Sequence, residues 1–225
     1  MAQDARWRSQ TKRKTNKTMK ALQVLALTLT LAALPLWAED SAQLKLAASI
    51  KDSRAETLRT RDQLQVTVNA LTALTKQQTG DLRTNYNAFV MEVKNTHGAA
   101  DYTAARVQTM QATSKDYFGG WQADVTSIGN ESLRKQAQKR LDVVRKDYNK
   151  TVVSLQEASE KFKPFLSNLD DVQKALANDI TPGGIKAIRG TASDANYNLK
   201  KVRSAIFDAL EQMEDMEKTL SPKTN

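Results

Sequence analysis

From Ser41 onward, apolar residues recur every three or four positions, a spacing that suits helices carrying one apolar stripe each. The clearest run is Leu82, Tyr86, Phe89, Val93, His97, Ala100, Ala104, Val107, Met110, Ser114, Tyr117, Trp121, Val125 and Ile128. Its mean step of about 3.5 residues is the repeat of a seam in a left-handed helical pair. A second run is Leu133, Ala137, Leu141, Val144, Tyr148, Val152, Leu155, Ala158, Phe162, Leu166, Leu169, Val172 and Leu176. A third is Ile185, Ile188, Ala192, Ala195, Leu199, Val202, Ile206, Leu210, Met213, Met216 and Leu220. An earlier, weaker stretch passes through Ile50, Leu58, Leu64, Val68, Leu71 and Leu74, with Arg54 and Arg61 where apolar residues are expected. No useful window alternates with period two. Eight Gly and four Pro are also few for a turn-rich β fold.

Breaks in the stripes fall where helix chemistry places them. Gly80-Asp81 offers a left-handed stop and then a capping carboxylate, and Gly129-Asn130 is expected to do the same. Thr181-Pro182 supplies a cap and a first-turn proline. Helices are therefore expected near 41–77, 81–128, 130–179 and 182–220, and short loops make neighbours antiparallel. The fold class is all-α: an elongated antiparallel four-helix bundle with coiled-coil-like packing. Gly98, Gly119-Gly120 and Pro164 are internal weak points, and Pro164 should bend the third helix. A seam of this period can close within one chain or between two, so self-association stays open. So does the choice between a closed bundle and an open arrangement of the helix pairs.

The chain ahead of the helices has a different character. Residues 1–38 hold seven Lys and Arg against Asp4 alone, followed by an apolar run from Ala21 to Leu34, Pro35 and Leu36-Trp37-Ala38. A basic start, a short apolar core and a small residue before Glu39-Asp40 describe a secretory signal peptide cleaved after Ala38. Residues 19–38 are its minimal form, and 39–225 make a single elongated helical-bundle domain. The alternative is a retained inner-membrane anchor, although a span wants about 20 apolar residues. Export places the mature chain in a bacterial periplasm. The 34 basic and 25 acidic residues of the whole chain become 27 and 24 once residues 1–38 are removed. A surplus of +3 rather than +9 gives no reason to expect nucleic acid as a partner.

The residues of common enzyme sites are missing. Without Cys there is no disulfide, zinc ribbon or thiol nucleophile, and His97 is the only imidazole. His97 follows Val93 and Lys94, so no Glu-x-x-His pair exists for a di-metal carboxylate bundle. Glu157/Glu160 and Glu214/Glu217 read as solvated faces. Gly-x-Ser-x-Gly, Ser-x-x-Lys and phosphate-cradling loops are absent, and capping explains Gly183-Gly184 better than an anion site. Tyr117, Phe118 and Trp121 read as core packing. No catalytic residue, cofactor or metal is expected.

One surface stands out. Arg134, Lys135, Lys139, Arg140, Arg145 and Lys146 form a basic run on the third helix, a candidate interaction surface for an envelope protein or a membrane. The competing expectation is an internal charge match. If helices three and four form a hairpin, residues whose numbers sum to about 361 lie side by side. Lys150 then falls beside Glu211, and the basic run faces Asp208, Glu211, Glu214, Asp215 and Glu217.

An ordered set of short motifs completes the reading: Gly80-Asp81-Leu82, Tyr86-Asn87, Ser132-Leu133-Arg134, Arg145-Lys146-Asp147-Tyr148, Pro164-Phe165-Leu166, Asp171-Val172 and Ala187-Ile188. Through them the chain resembles, over roughly residues 50–218, a family of bacterial exported coiled-coil proteins catalogued only as a domain of unknown function. Leu176-Ala-Asn-Asp-Ile180 departs from a His-containing stretch of its relatives. The resemblance implies long helices and an export signal, and no substrate or catalytic residue. The expected function is non-enzymatic macromolecular contact in the bacterial cell envelope. The alternative is a small-ligand or metal-responsive sensor using the bundle core near His97 and Tyr102.

Overall fold

A computed structural model describes residues 36–76 and 80–221, with side chains from Ser41 onward. The segment expected to be a signal peptide lies outside the described residues apart from Leu36–Ala38. The described residues form five helices: α1 Leu36–Lys76, α2 Leu82–Ser127, α3 Glu131–Ala177, α4 Pro182–Ala187 and α5 Arg189–Leu220. At ~1.5 Å per residue the two middle helices approach ~70 Å. The family of all-α bundles expected from the stripes is the one observed.

The helix ends form by local chemistry. Gly80 takes φ 100°, a conformation open to glycine, and ends the α1–α2 turn. Asp81 then caps α2, its carboxylate accepting from the Thr84 amide at 3.0 Å and from the Thr84 hydroxyl. Asn130 caps α3 through the Leu133 amide, also at 3.0 Å. The second turn differs from expectation at Gly129, which needs no left-handed backbone. The extended Ile128, with ψ 113°, breaks the helix instead. Thr181 caps the final pair through the Gly184 amide, with Pro182 in the first turn. That last stretch is not one helix: Ile188 ends α4 and α5 starts afresh at Arg189. Two consecutive glycines make α4 a weak helix. Gly184 is required there for another reason, because a Cβ would stand 2.1 Å from the Asp179 carbonyl oxygen.

The buried positions sharpen the seams. On α3 they are Leu141, Val144, Tyr148, Thr151, Leu155, Ala158, Phe162, Phe165, Leu169, Val172 and Leu176, alternating steps of three and four without a slip. Thr151 and Phe165 thus replace the expected Val152 and Leu166, which are only half-buried. On α5 the alternation runs Ala192, Ala195, Leu199, Val202, Ile206, Ala209, Met213, Met216, Leu220. The seam of α1 holds four polar members: Leu46, Ile50, Ser53, Thr57, Thr60, Leu64, Thr67, Leu71 and Leu74 are all buried. Their hydroxyls are satisfied. Ser53 and Thr57 donate to the carbonyls one turn back, both at 2.8 Å. Thr60 reaches the Ala99 carbonyl of α2 at 3.0 Å, and Thr67 meets the Thr96 hydroxyl at 2.6 Å.

Hydrogen bonds between elements show how the seams close. Between α1 and α2, Thr67 pairs with Thr96 and Thr60 with Thr103, so one number rises as the other falls. Between α2 and α3 the Tyr86 hydroxyl donates to Gln173 and the Tyr148 hydroxyl to Met110. Between α3 and α5 the Thr151 hydroxyl donates to the Gln212 carbonyl at 3.2 Å, a register sum of 363 against the expected 361. Finally α1 returns to α5: Gln43 donates to Leu220, Arg54 pairs with Glu214 at 3.0 Å, and Arg203 donates to Gln65. Every neighbour is antiparallel and α1 touches both α2 and α5, so the bundle is closed within one chain.

Two tests follow from this packing. Phe165 is fully buried, so Phe165→Ala should cost about 3–5 kcal/mol in urea unfolding. Leu166→Ala should cost less than half as much, and a reversed order would contradict the observed phase. The Asp81 carboxyl is held below its ordinary range by the Thr84 hydroxyl, then by the Thr84 amide. Its contribution is therefore present above the unfolded carboxylate range and lost as pH falls through the lowered folded value. Asp81→Asn keeps a capping side chain without that charge. The stability advantage of the parent over this variant should shrink on acidification, and an advantage independent of pH would be inconsistent with the cap.

Candidate functional site

The basic run lies on the first turns of α3. With a register sum of 363, Leu220 at the end of α5 faces residue 143, so Glu131–Asp142 extend past α5. The acidic residues of α5 therefore cannot reach Arg134, Lys135, Lys139 or Arg140, which removes most of the expected charge match. Nor does Lys150 bond Glu211: its ammonium sits 2.8 Å from Asp147 on its own helix. Glu214 and Asp215 of α5 are engaged elsewhere. Glu214 is held below the usual carboxylate range chiefly by its bond to Lys218, then by Lys218 and Arg54 charge. Lys218 is correspondingly raised by Glu214 and Asp215.

The six candidate residues divide into two groups. Arg134 donates to the Ile128 carbonyl at 3.0 Å, and Lys135 pairs with Glu131 at 2.6 Å. Arg145 lies 5.5 Å over the Phe118 ring and donates to the Phe118 carbonyl at 3.4 Å. Arg134 and Arg145 support the α2–α3 hairpin, whereas the Lys135 pair lies within α3. Beneath Arg145, Tyr117, Phe118, Trp121 and Tyr148 form a ring cluster with centroids 5.0–5.6 Å apart, the core role expected for these aromatics. Lys139, Arg140 and Lys146 are exposed and, among the described residues, have no carboxylate within ion-pair distance. Lys135, Lys139 and Lys146 stand four and seven residues apart, hence on one face.

His97 is not on the seam. Thr96 is buried in its place, while the imidazole is 43% exposed and its Nε2 lies 2.9 Å from Asp170 Oδ1, tying α2 to α3. Tyr102 is 70% exposed, so it contributes nothing to a core site. Among the described residues no three His, Asp or Glu side chains gather as metal ligands. No described helix is long and apolar enough to cross a membrane.

Sequence reasoning missed a cavity. Between the His97–Asp170 bond and the Tyr148–Met110 bond, α2 buries no residue from His97 to Thr109, although four of those positions were expected in its seam. A groove of about 430 Å³ opens there. Ala100, Ala104 and Val107 line one wall, and Leu155, Ala158 and Phe162 the other. Thr57, Thr60 and Ile206 from α1 and α5 close its floor. The legible signal was the run of small residues Gly98, Ala99, Ala100, Ala104 and Ala105 in α2, which cannot span the distance to α3.

No curated protein matches the chain. A family does, and its extent corresponds closely to the bundle, running from the first turns of α1 to the end of α5. Matched over residues 43–220, this chain belongs to the family described as Protein of unknown function (DUF2959).

Proposed function

We propose that this protein is a non-enzymatic contact protein of the bacterial cell envelope. In this reading it is exported to the periplasm by a cleaved N-terminal signal, and its bundle works as a long antiparallel coiled coil. Its docking surface is the basic face of α3, and the surface it meets is anionic.

The observation that carries the reading is the state of Lys139, Arg140 and Lys146. They are exposed and, among the described residues, unpaired, close to or beyond the level where α5 ends, so their charge faces outward. A cation near an anionic bilayer gains about 1 kcal/mol, within a Debye length of about 8 Å at physiological salt. Three to five such residues give weak, reversible attachment suited to a contact protein. Support for export comes from the sequence of residues 1–38, basic and then apolar.

Co-sedimentation with phosphatidylglycerol vesicles tests the proposal. Binding should fall by at least tenfold when Lys139, Arg140 and Lys146 are all changed to Glu, and should weaken steeply with salt. Phosphatidylcholine vesicles should bind little. Binding that ignores salt and charge reversal, or none at all, would contradict an anionic contact through α3.

A further inference from the structure

We propose that the tip of the α2–α3 hairpin rests on an anionic bilayer by the side of α3 that α5 leaves bare. Leu133 and Val143 there pass between the lipid headgroups to the edge of the hydrocarbon. This inference rests on the anionic contact proposed above. It names the partner as lipid rather than protein, and the mode as shallow insertion.

The side is bare because α5 stops before α3 does. Thr151 marks the side of α3 that faces α5, through its bond to the Gln212 carbonyl. At 3.6 residues per turn, Leu133 stands five turns before Thr151 and so lies on the same side. There α5 has already ended, level with residue 143. Leu133 belongs to the apolar stripe of α3, yet it is 57% exposed. It is a seam residue whose partner helix stops short, which distinguishes it from an apolar side chain scattered on a polar surface.

Cations adjoin the bare seam. Leu133, Gln136, Arg140 and Val143 follow at steps of three, four and three, hence along one face. All four are exposed, Val143 at 52%. Lys139 and Lys146 flank Val143, four residues before it and three after. The acids of this stretch of α3 are engaged elsewhere. Glu131 pairs with Lys135 at 2.6 Å, Asp142 accepts from the Gln138 amide at 2.9 Å, and Asp147 pairs with Lys150 at 2.8 Å. From Glu131 to Lys150 the helix holds seven Lys and Arg against those three acids.

A bilayer of anionic lipid answers both halves of this face. Phosphates meet Lys139, Arg140 and Lys146, whose long stems keep their charges at headgroup level, while the acyl edge covers Leu133 and Val143. The two apolar side chains stand about 15 Å apart along the axis, so one stretch of interface parallel to α3 takes them both. An acidic protein would meet the same cations but would need an apolar pocket at each of those two points.

A chain without cysteine lets single labels report depth. Leu133→Cys and Val143→Cys, each carrying the environment-sensitive fluorophore NBD, should brighten several-fold on phosphatidylglycerol vesicles. Lipids with a nitroxide high on the acyl chain should quench both. Met91→Cys, a comparably exposed position on α2, should stay dark. Leu133→Gln combined with Val143→Gln should weaken vesicle binding roughly tenfold and keep the melting temperature, since both side chains are exposed in the free protein. Vesicle binding that needs Lys139, Arg140 and Lys146 while both labels stay dark would overturn insertion and leave the charge contact standing. Tighter binding to polyglutamate than to vesicles, with dark labels, would overturn the bilayer in favour of an acidic protein.

Discussion

Apolar stripes that repeat every 3.5 residues on four long helices must be hidden from water, and one chain can hide all of them only by closing into a ring. That constraint governs the rest of the structure. Each helix has two neighbours, and α1 supplies the last contact by bonding α2 on one side and α5 on the other. Without α1, the inner faces of α2 and α5 would lose their cover, including the fully buried Phe89 and Met213. Closure by α1 is thus the step on which both the basic hairpin and the groove depend.

The helix that closes the ring is also the one with the least apolar seam. Ser53, Thr57, Thr60 and Thr67 occupy positions that leucine would fill more favourably. Their hydroxyls find backbone carbonyls or threonine hydroxyls of α2, so burial does not strand a donor. What they add is register. A leucine stripe tolerates sliding by a heptad, whereas such a slip would keep only one of the two threonine pairs, setting Thr60 against Thr96 or Thr67 against Thr103, and would leave the other two hydroxyls to find new partners. Thr57 and Thr60 also floor the groove, so the seam that fixes α1 leaves room beneath α2.

The sequence shows where strong periodicity decides and where it does not. Caps at Asp81, Asn130 and Thr181 were legible because their chemistry is local. The antiparallel α3–α5 register was legible to within two residues because the connecting loop is short. Choosing the larger or branched residue at adjacent positions misplaced the α3 seam, since Val152 beside Thr151 and Leu166 beside Phe165 look equally suitable. On α1 the polar members were invisible to an apolar pattern, although the three-four alternation continues through them. The expected pairing of basic α3 with acidic α5 failed because α5 ends level with residue 143, and because Lys135 and Lys150 find carboxylates one turn away on their own helix. The groove was hidden because alanines in a stripe count as core until the distance they must span is known.

A chain without cysteine permits a direct test of ring closure. Thr67 and Thr96 bring their hydroxyl oxygens within 2.6 Å, and Thr60 and Thr103 within 2.9 Å, separations that suit side chains able to share a disulfide. Cysteines introduced at 67 and 96, or at 60 and 103, should oxidise rapidly to monomeric cross-linked protein with native helicity. The swapped pairs, 67 with 103 and 60 with 96, should stay reduced under the same conditions. Cross-linking of the swapped pairs, or dimers from the matched ones, would mean that α1 does not close the bundle in this register.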